Sequence, residues 1–121
     1  DAAAKLVVLM NVLMNAGLTP DDVRRTGIDS ITKADIANAS AQHQKIKLVC
    51  RGYETEDGFM AEVLPERIYI SDMYASVSGT TSVVTLTTDL MGTISVVEHD
   101  PEIEQTAYGI FGDMLRVLDS I

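Results

Sequence analysis

Apolar positions in the first part of the chain follow the period of a helix. Residues 2–16 are apolar over most of their surface, which predicts a buried helix with Gly17 as its stop. The positions that share its main face are Leu6, Leu9, Met10, Leu13 and Met14. Two further helix starts follow. Thr19-Pro20-Asp21-Asp22 predicts a short helix that ends near Gly27, and Thr32-Lys33-Ala34-Asp35 predicts one that reaches about Gln44.

The period then changes to that of strands. Residues 46–51 and 59–63 alternate between apolar and polar positions around a turn at residues 54–58, with a possible extension of the second strand over 67–70. Residues 81–89 and 93–98 predict a second strand pair. Residues 103–118 return to helical spacing, with an amphipathic stripe formed by Ile103, Ala107, Ile110, Phe111, Met114, Leu115 and Leu118.

This order of elements predicts an α+β fold. We expect a mixed or antiparallel sheet of four or more strands with helices packed on one face, in a single domain that spans residues 1–121. The chain starts at Asp1 without an initiator Met and enters a helix at once, which is typical of a fragment of a longer polypeptide. No strand is followed by a glycine-rich turn and a helix, so these residues predict no dinucleotide-binding fold.

Composition narrows the possible partners. Nine Lys and Arg against eighteen Asp and Glu give a net charge of −9, which argues against a nucleic-acid or anionic-membrane surface. The longest apolar run, residues 6–14, is interrupted by Asn11 and is shorter than a membrane span. It lacks the basic start and cleavage site of a signal peptide. A single cysteine, Cys50, cannot form an internal disulfide, so we expect a reducing, cytoplasmic location.

Asp1 and Lys5 are the first candidates for chemistry. Four residues apart on a helix, their side chains lie on the same face and can interact. One interpretation is an ordinary surface ion pair with Asp1 as the helix cap. The other is a lysine that transfers a proton to or from a substrate oxygen and is held in place by a carboxylate.

Other candidates have simpler interpretations. The acidic stretch 98–104 contains possible metal ligands, but Asp100 as cap and Pro101 at the first position suit the start of the last helix, and we predict no metal site. His43 is expected to face solvent. Cys50 and the methionines are interpreted as apolar core residues, and the hydroxyl-rich stretch 76–82 as a turn that leads into a strand.

Several segments together resemble the homoserine dehydrogenase family. The opening Asp1-Ala2-Ala3-Ala4-Lys5 is similar to the D-x-x-x-K of its central helix, and Ile31-Thr32 with Ala34-Asp35-Ile36 resembles the segment that follows it. Gly79-Thr80-Thr81-Ser82-Val83-Val84 is similar to a strand entry of the family, with Ser82 in place of its usual Asn. Gln105-Thr106-Ala107-Tyr108 through Gly112-Asp113 resembles its closing helix. These matches extend over nearly the whole chain.

The resemblance implies an NAD- or NADP-dependent oxidoreductase that interconverts L-homoserine and L-aspartate 4-semialdehyde in threonine and methionine biosynthesis. Lys5 corresponds to the catalytic lysine of the family, and Asp1 to the aspartate that positions it and the substrate. The chain corresponds to the C-terminal substrate and dimerisation domain. The cofactor is bound mainly by an upstream domain, the enzyme is a homodimer, and this fragment alone is expected to be inactive.

One departure from the family concerns the loop before the last helix. Glu98, Asp100 and Glu102 occupy positions at which the family has small residues near its cofactor. Carboxylates there add bulk and repel phosphate groups. The departure leaves the exact substrate open, and it supports an alternative function: a non-catalytic α+β module for oligomerisation or small-ligand regulation.

Overall fold

The computed structural model describes all 121 residues, which divide into two compact units, 1–75 and 76–121. The helices are α1 (Ala2–Met14), α2 (Lys33–Ala41), α3 (Met73–Ser76) and α4 (Ile103–Asp119). The strands are β1 (Arg24–Arg25), β2 (Gln44–Thr55), β3 (Gly58–Tyr69), β4 (Ser82–Thr88) and β5 (Gly92–Glu98).

The first unit is organised around a long hairpin. β2 and β3 pair antiparallel over their full lengths, from Gln44 opposite Tyr69 to Thr55 opposite Gly58, and β1 adds to β3 in the parallel direction. The extension of β3 past Pro65 is thereby confirmed. In the second unit β4 pairs only with β5.

The expectation of one sheet with four or more strands is therefore wrong, although the α+β class is confirmed. The larger sheet has three strands in the order β1-β3-β2, and β4 and β5 form a separate sheet of two. Alternation along the chain indicates where strands are, and a turn between two strands indicates that they pair with each other. Neither signal indicates whether two hairpins share a sheet.

The core of the first unit lies between α1 and the face of the sheet that α1 covers. Small and aliphatic side chains fill it: Ala3, Leu6, Val7, Met10, Val23, Ala61 and Val63. Only one face of α1 is buried, because Val8, Val12 and Leu13 on its other side are exposed. The buried positions of the helix are 3, 6, 7 and 10, which share one face, so of the predicted face Leu6 and Met10 are buried, while Leu9, Leu13 and Met14 are exposed.

Helix ends differ from the sequence expectations at three places, one of which is α2, which ends at Ala41 and not at about Gln44. α1 ends at Met14, because Asn15 adopts the left-handed conformation (φ 54°) and ends the helix two residues before Gly17. The helix expected to follow Thr19 is only a single 3-10 turn, Pro20–Asp22, after which the chain enters β1. α2 starts as predicted, since Asp35 accepts a hydrogen bond from the Thr32 N–H (2.8 Å) and Thr32 Oγ1 accepts one from the Asp35 N–H (3.1 Å).

The last helix is present as predicted, but its cap is another residue. Glu102, not Asp100, is the N-cap, and its N–H donates to Gln105 Oε1 at 2.8 Å. Asp100 instead lies in the left-handed region (φ 43°), where its carboxylate and N–H both bond the Thr81 hydroxyl at 3.0 Å. The apolar stripe of α4 is exposed: none of its residues is buried.

Two interpretations of core residues are also wrong. Cys50 is exposed, although it pairs with the buried Val63 on the face of the sheet that carries α1, so α1 covers this position only in part. Of the six methionines only Met10 is buried, since apolar periodicity shows which positions share a face without showing whether that face is covered. None of the helices combines the length and apolar character that a bilayer span requires.

Candidate functional site

Asp1 and Lys5 form an ion pair at the start of α1. Lys5 Nζ lies 3.1 Å from Asp1 Oδ2, and the Lys5 backbone N–H donates to the Asp1 carbonyl at 3.1 Å. The four-residue spacing therefore has the effect predicted from the sequence. Asp1 is the N-cap residue of the helix, but its side chain makes no capping hydrogen bond, so its carboxylate is directed to Lys5.

Both charged groups are accessible. The Lys5 side chain is 75% exposed and that of Asp1 is 86% exposed. The backbone that carries them is fixed, because Ala3, Leu6 and Val7 of the same two turns are buried against the sheet. The result is a cation on a rigid helical frame, with its carboxylate partner on one side and open space on the other.

Cys50 lies within the electrostatic range of this pair. Partial desolvation by neighbouring atoms raises the pKa of the Cys50 thiol above its usual value, and the positive charge of Lys5 offsets part of that rise. A raised pKa disfavours the thiolate, so Cys50 is not an activated nucleophile. The sequence did not indicate this proximity, because it depends on how α1 crosses β2.

A second set of charges on the sheet was missed by sequence reasoning. Arg51 holds Glu66 with two hydrogen bonds of 2.7 Å, and Arg24 lies 3.2 Å from Glu62. The hydrogen bonds from Arg51 hold the pKa of Glu66 below its usual range. The strand alternation was the available signal, since it places Glu62 and Glu66 on the same face as Arg51. The residue directly opposite Arg51 is Glu62, which pairs with Arg24 instead.

The acidic stretch of the second unit borders a shallow open cavity of about 540 Å³. Its walls are formed by Thr80, Glu98, Pro101, Glu102, Ile103, Gln105 and Thr106. Within the hydroxyl-rich stretch 76–82, the Thr81 N–H donates to the Ser78 carbonyl in a turn that leads into β4, which confirms the interpretation of this stretch. No three His, Cys, Asp or Glu side chains are grouped as metal ligands, and His43 is exposed as expected.

The geometry at the start of α1 suits proton transfer to an oxygen. An accessible ammonium group can donate a proton to a carbonyl oxygen, or stabilise the negative charge that develops on it, while a neighbouring carboxylate restricts where the ammonium lies. The first unit contains no other accessible lysine that is paired in this way with a carboxylate on a helix start.

Several known proteins that are similar to this chain carry the name of one enzyme family. A family model described as homoserine dehydrogenase matches residues 1–115. The NAD(+)-dependent homoserine dehydrogenase of Pseudomonas canavaninivorans is 29% identical over 121 residues, which cover 99% of this chain and 34% of that protein. The homoserine dehydrogenase of Mycobacterium leprae is 33% identical over 130 residues, which cover 99% of this chain and 30% of that protein.

A solved structure shows the same fold. The crystal structure of S. aureus homoserine dehydrogenase at pH 6.5 superposes with a TM-score of 0.83 at 26% identity, over 97% of this chain and 30% of that one. This chain spans about a third of the length of the relatives it matches. A match of the family model over nearly the whole sequence shows that the chain belongs to the homoserine dehydrogenase family.

Proposed function

We propose that residues 1–121 are the C-terminal substrate and dimerisation domain of an enzyme that interconverts L-homoserine and L-aspartate 4-semialdehyde with NAD or NADP. Lys5 is the acid/base residue and Asp1 positions it. The observation that carries this proposal is the 3.1 Å ion pair between their side chains at the accessible start of α1. Family membership supports the reaction, because the relatives that match over this region are named homoserine dehydrogenases.

The proposed step is a proton transfer at one oxygen atom. In the direction of reduction, Lys5 Nζ donates a proton to the aldehyde oxygen as its carbon is reduced, which gives the hydroxyl of homoserine. In the direction of oxidation, the neutral amine accepts the hydroxyl proton. Asp1 lies on one side of the ammonium, so it limits the side-chain rotation of Lys5 and leaves the opposite side for substrate.

The residues of this chain do not fit a dinucleotide cofactor. The cavity at the start of α4 is bordered by the carboxylates of Glu98 and Glu102, which repel phosphate groups. The backbone N–H of Glu102, a donor that could meet a phosphate, is bonded to Gln105. A nicotinamide cofactor would have to be held by residues outside this stretch, and the role proposed here for Lys5 and Asp1 is limited to proton transfer and positioning.

The remaining features of the proposal concern the whole protein. We expect a homodimer that acts on small molecules in the cytoplasm, as a step of threonine and methionine biosynthesis. Residues 1–121 alone are expected to be inactive, because they provide no site for the nicotinamide cofactor.

The test is homoserine-dependent reduction of NAD or NADP by the full-length protein and its Lys5→Ala variant. We expect kcat to fall by about 10²-fold or more, the size of a general acid/base contribution. Lys33→Ala is the matched control, because Lys33 is also an exposed lysine in the first turn of a helix. It is expected to keep the kcat of the unchanged protein.

Either of two results would reject the proposal. Equal losses in Lys5→Ala and Lys33→Ala would assign no specific role to Lys5. A folded full-length protein that binds cofactor but does not oxidise homoserine would favour the alternative function, a non-catalytic module for oligomerisation or small-ligand regulation.

A further inference from the structure

Gly52 lies in β2, three residues before the strand ends at Thr55, and the Met10 side chain of α1 lies against it. It pairs with the small core residue Ala61 of β3, so these two positions lie directly opposite each other on the face that α1 covers. A Cβ atom at position 52 would lie 2.5 Å from Met10 Sδ, 2.8 Å from Met10 Cγ and 3.1 Å from Met10 Cε. All three distances are shorter than ordinary van der Waals contact.

The Met10 side chain is flexible, but it is buried, so any shift that it makes has to be accommodated within the core. It is only 3% exposed and belongs to the core cluster with Leu6, Ala61 and Val63. Glycine in the interior of a strand weakens the strand, and such a glycine often marks the close approach of another element. At Gly52 the approaching element is the Met10 side chain, which occupies the space that a larger residue would need.

We propose that Gly52 is a positioning residue for Lys5, because its missing side chain sets the depth at which α1 packs on the sheet. This inference rests on the proposed function, since it assumes that Lys5 is the acid/base residue. Lys5 precedes Met10 by five residues, about 7.5 Å along the rigid helix. Displacement of α1 at Met10 therefore moves Lys5 and Asp1 away from the positions that the sheet gives them.

Even a small displacement of Lys5 is expected to lower the catalytic rate strongly. Reacting groups work within about 0.5 Å of their productive geometry, and an error of about 1 Å can cost about 10²-fold in rate. Gly52 touches neither the substrate nor the ion pair. Its effect on rate is exerted entirely through Met10 and the helix.

The first test compares Gly52→Ala with the unchanged full-length protein. We expect kcat with homoserine to fall about tenfold or more, in protein that remains folded at the assay temperature. Removing the colliding atoms should reverse the loss. Met10→Ala combined with Gly52→Ala is therefore expected to have a kcat within about threefold of that of Met10→Ala alone. Gly109→Ala is the control glycine, because a Cβ atom there would meet nothing within 4 Å.

A second measurement does not depend on turnover. Cys50 lies on the same face of β2 as Gly52, two residues away, and its alkylation by iodoacetamide can be followed by mass spectrometry of its peptide. Displacement of α1 exposes the thiol to more solvent, so we expect faster alkylation of Cys50 in Gly52→Ala than in the unchanged protein. In the double variant, Cys50 should be alkylated at the same rate as in Met10→Ala alone. If the unchanged protein does not oxidise homoserine, the proposed function fails, and this rate still tests how Gly52 positions α1.

Three outcomes would overturn the inference. The first is a kcat for Gly52→Ala within about twofold of the unchanged protein, together with unchanged alkylation of Cys50. The second is a double variant whose loss equals the product of the two single losses. The third applies if Gly52→Ala does not fold. It is a kcat of the double variant about tenfold lower than that of Met10→Ala alone.

Discussion

The side chain of Asn11 and the backbone of Leu18 are joined by two hydrogen bonds of 2.8 Å each. Asn11 Nδ2 donates to the Leu18 carbonyl, and Asn11 Oδ1 accepts from the Leu18 N–H. This contact explains the one polar residue in the apolar run of α1. It fastens the loop after the helix back onto the helix, so the end of α1 opposite to Lys5 is fixed as well.

Replacement of Asn11 should therefore destabilise the first unit. Asn11→Ala leaves the N–H and carbonyl of Leu18 without their partner in a partly buried position, which we expect to cost about 1–3 kcal/mol. The measurement is urea unfolding of the full-length protein. Asn38→Ala is the control, because Asn38 makes only an exposed side-chain bond to Gln42. Equal losses in the two variants would contradict the assigned role of Asn11.

The ion pair between Asp1 and Lys5 gives a prediction for activity. Asp1→Asn keeps the shape of the side chain and removes its charge, so we expect kcat to fall about tenfold, less than in Lys5→Ala. Because the two residues act as a unit, the double variant should be no slower than Lys5→Ala alone.

The matched control is a second ion pair at the same spacing. Asp21 lies 3.9 Å from Arg25, also four residues apart and exposed. Asp21→Asn removes a carboxylate from a comparable surface pair and should leave kcat unchanged. A similar loss of kcat in Asp1→Asn and Asp21→Asn would show that neither carboxylate positions a reacting group.

The pair formed by Arg51 and Glu66 predicts how stability depends on pH. The pKa of Glu66 is lowered in the folded state, so its contribution is present above the usual glutamate pKa of 4.5 and is lost as pH falls through the lower folded pKa. Glu66→Gln should cost about 1 kcal/mol at pH 7, since the pair is partly exposed. The difference from the unchanged protein should shrink below about pH 4.5.

The experiment for this pair is urea unfolding at pH 7 and at steps down to pH 3. Glu56→Gln serves as the control, because Glu56 is an exposed turn residue for which no ion pair is observed. A Glu66→Gln difference that stays constant over this range would show that the ionised pair contributes nothing to stability.

Local signals in the sequence predicted most elements. The alternation and turn residues gave both hairpins, and Thr32 with Asp35 gave the start of α2. Helix ends were less predictable, because Asn15 takes a left-handed conformation that glycine usually takes. The division of the strands between two sheets depends on tertiary contacts and has no signal in the period of the sequence.

The candidate site was predictable only in part. A spacing of four residues on a helix is enough to bring Asp1 and Lys5 together, and the ion pair followed from it. The contact of Met10 with Gly52 joins residues 42 positions apart, so it required the packing of α1 on β2. The exposure of Cys50 was missed for the same reason, because strand periodicity cannot show how far a helix covers a sheet.

The uncovered stripe of α4 also determines how this stretch should behave in solution on its own. Apolar side chains at such exposure favour self-association, and the electrostatic repulsion that comes with a net charge of −9 opposes it. That repulsion vanishes at the isoelectric point near pH 4.4. Colloidal stability of the isolated 121 residues should therefore decline steeply between neutral pH and that point, and added salt should lower it already at pH 7 by screening.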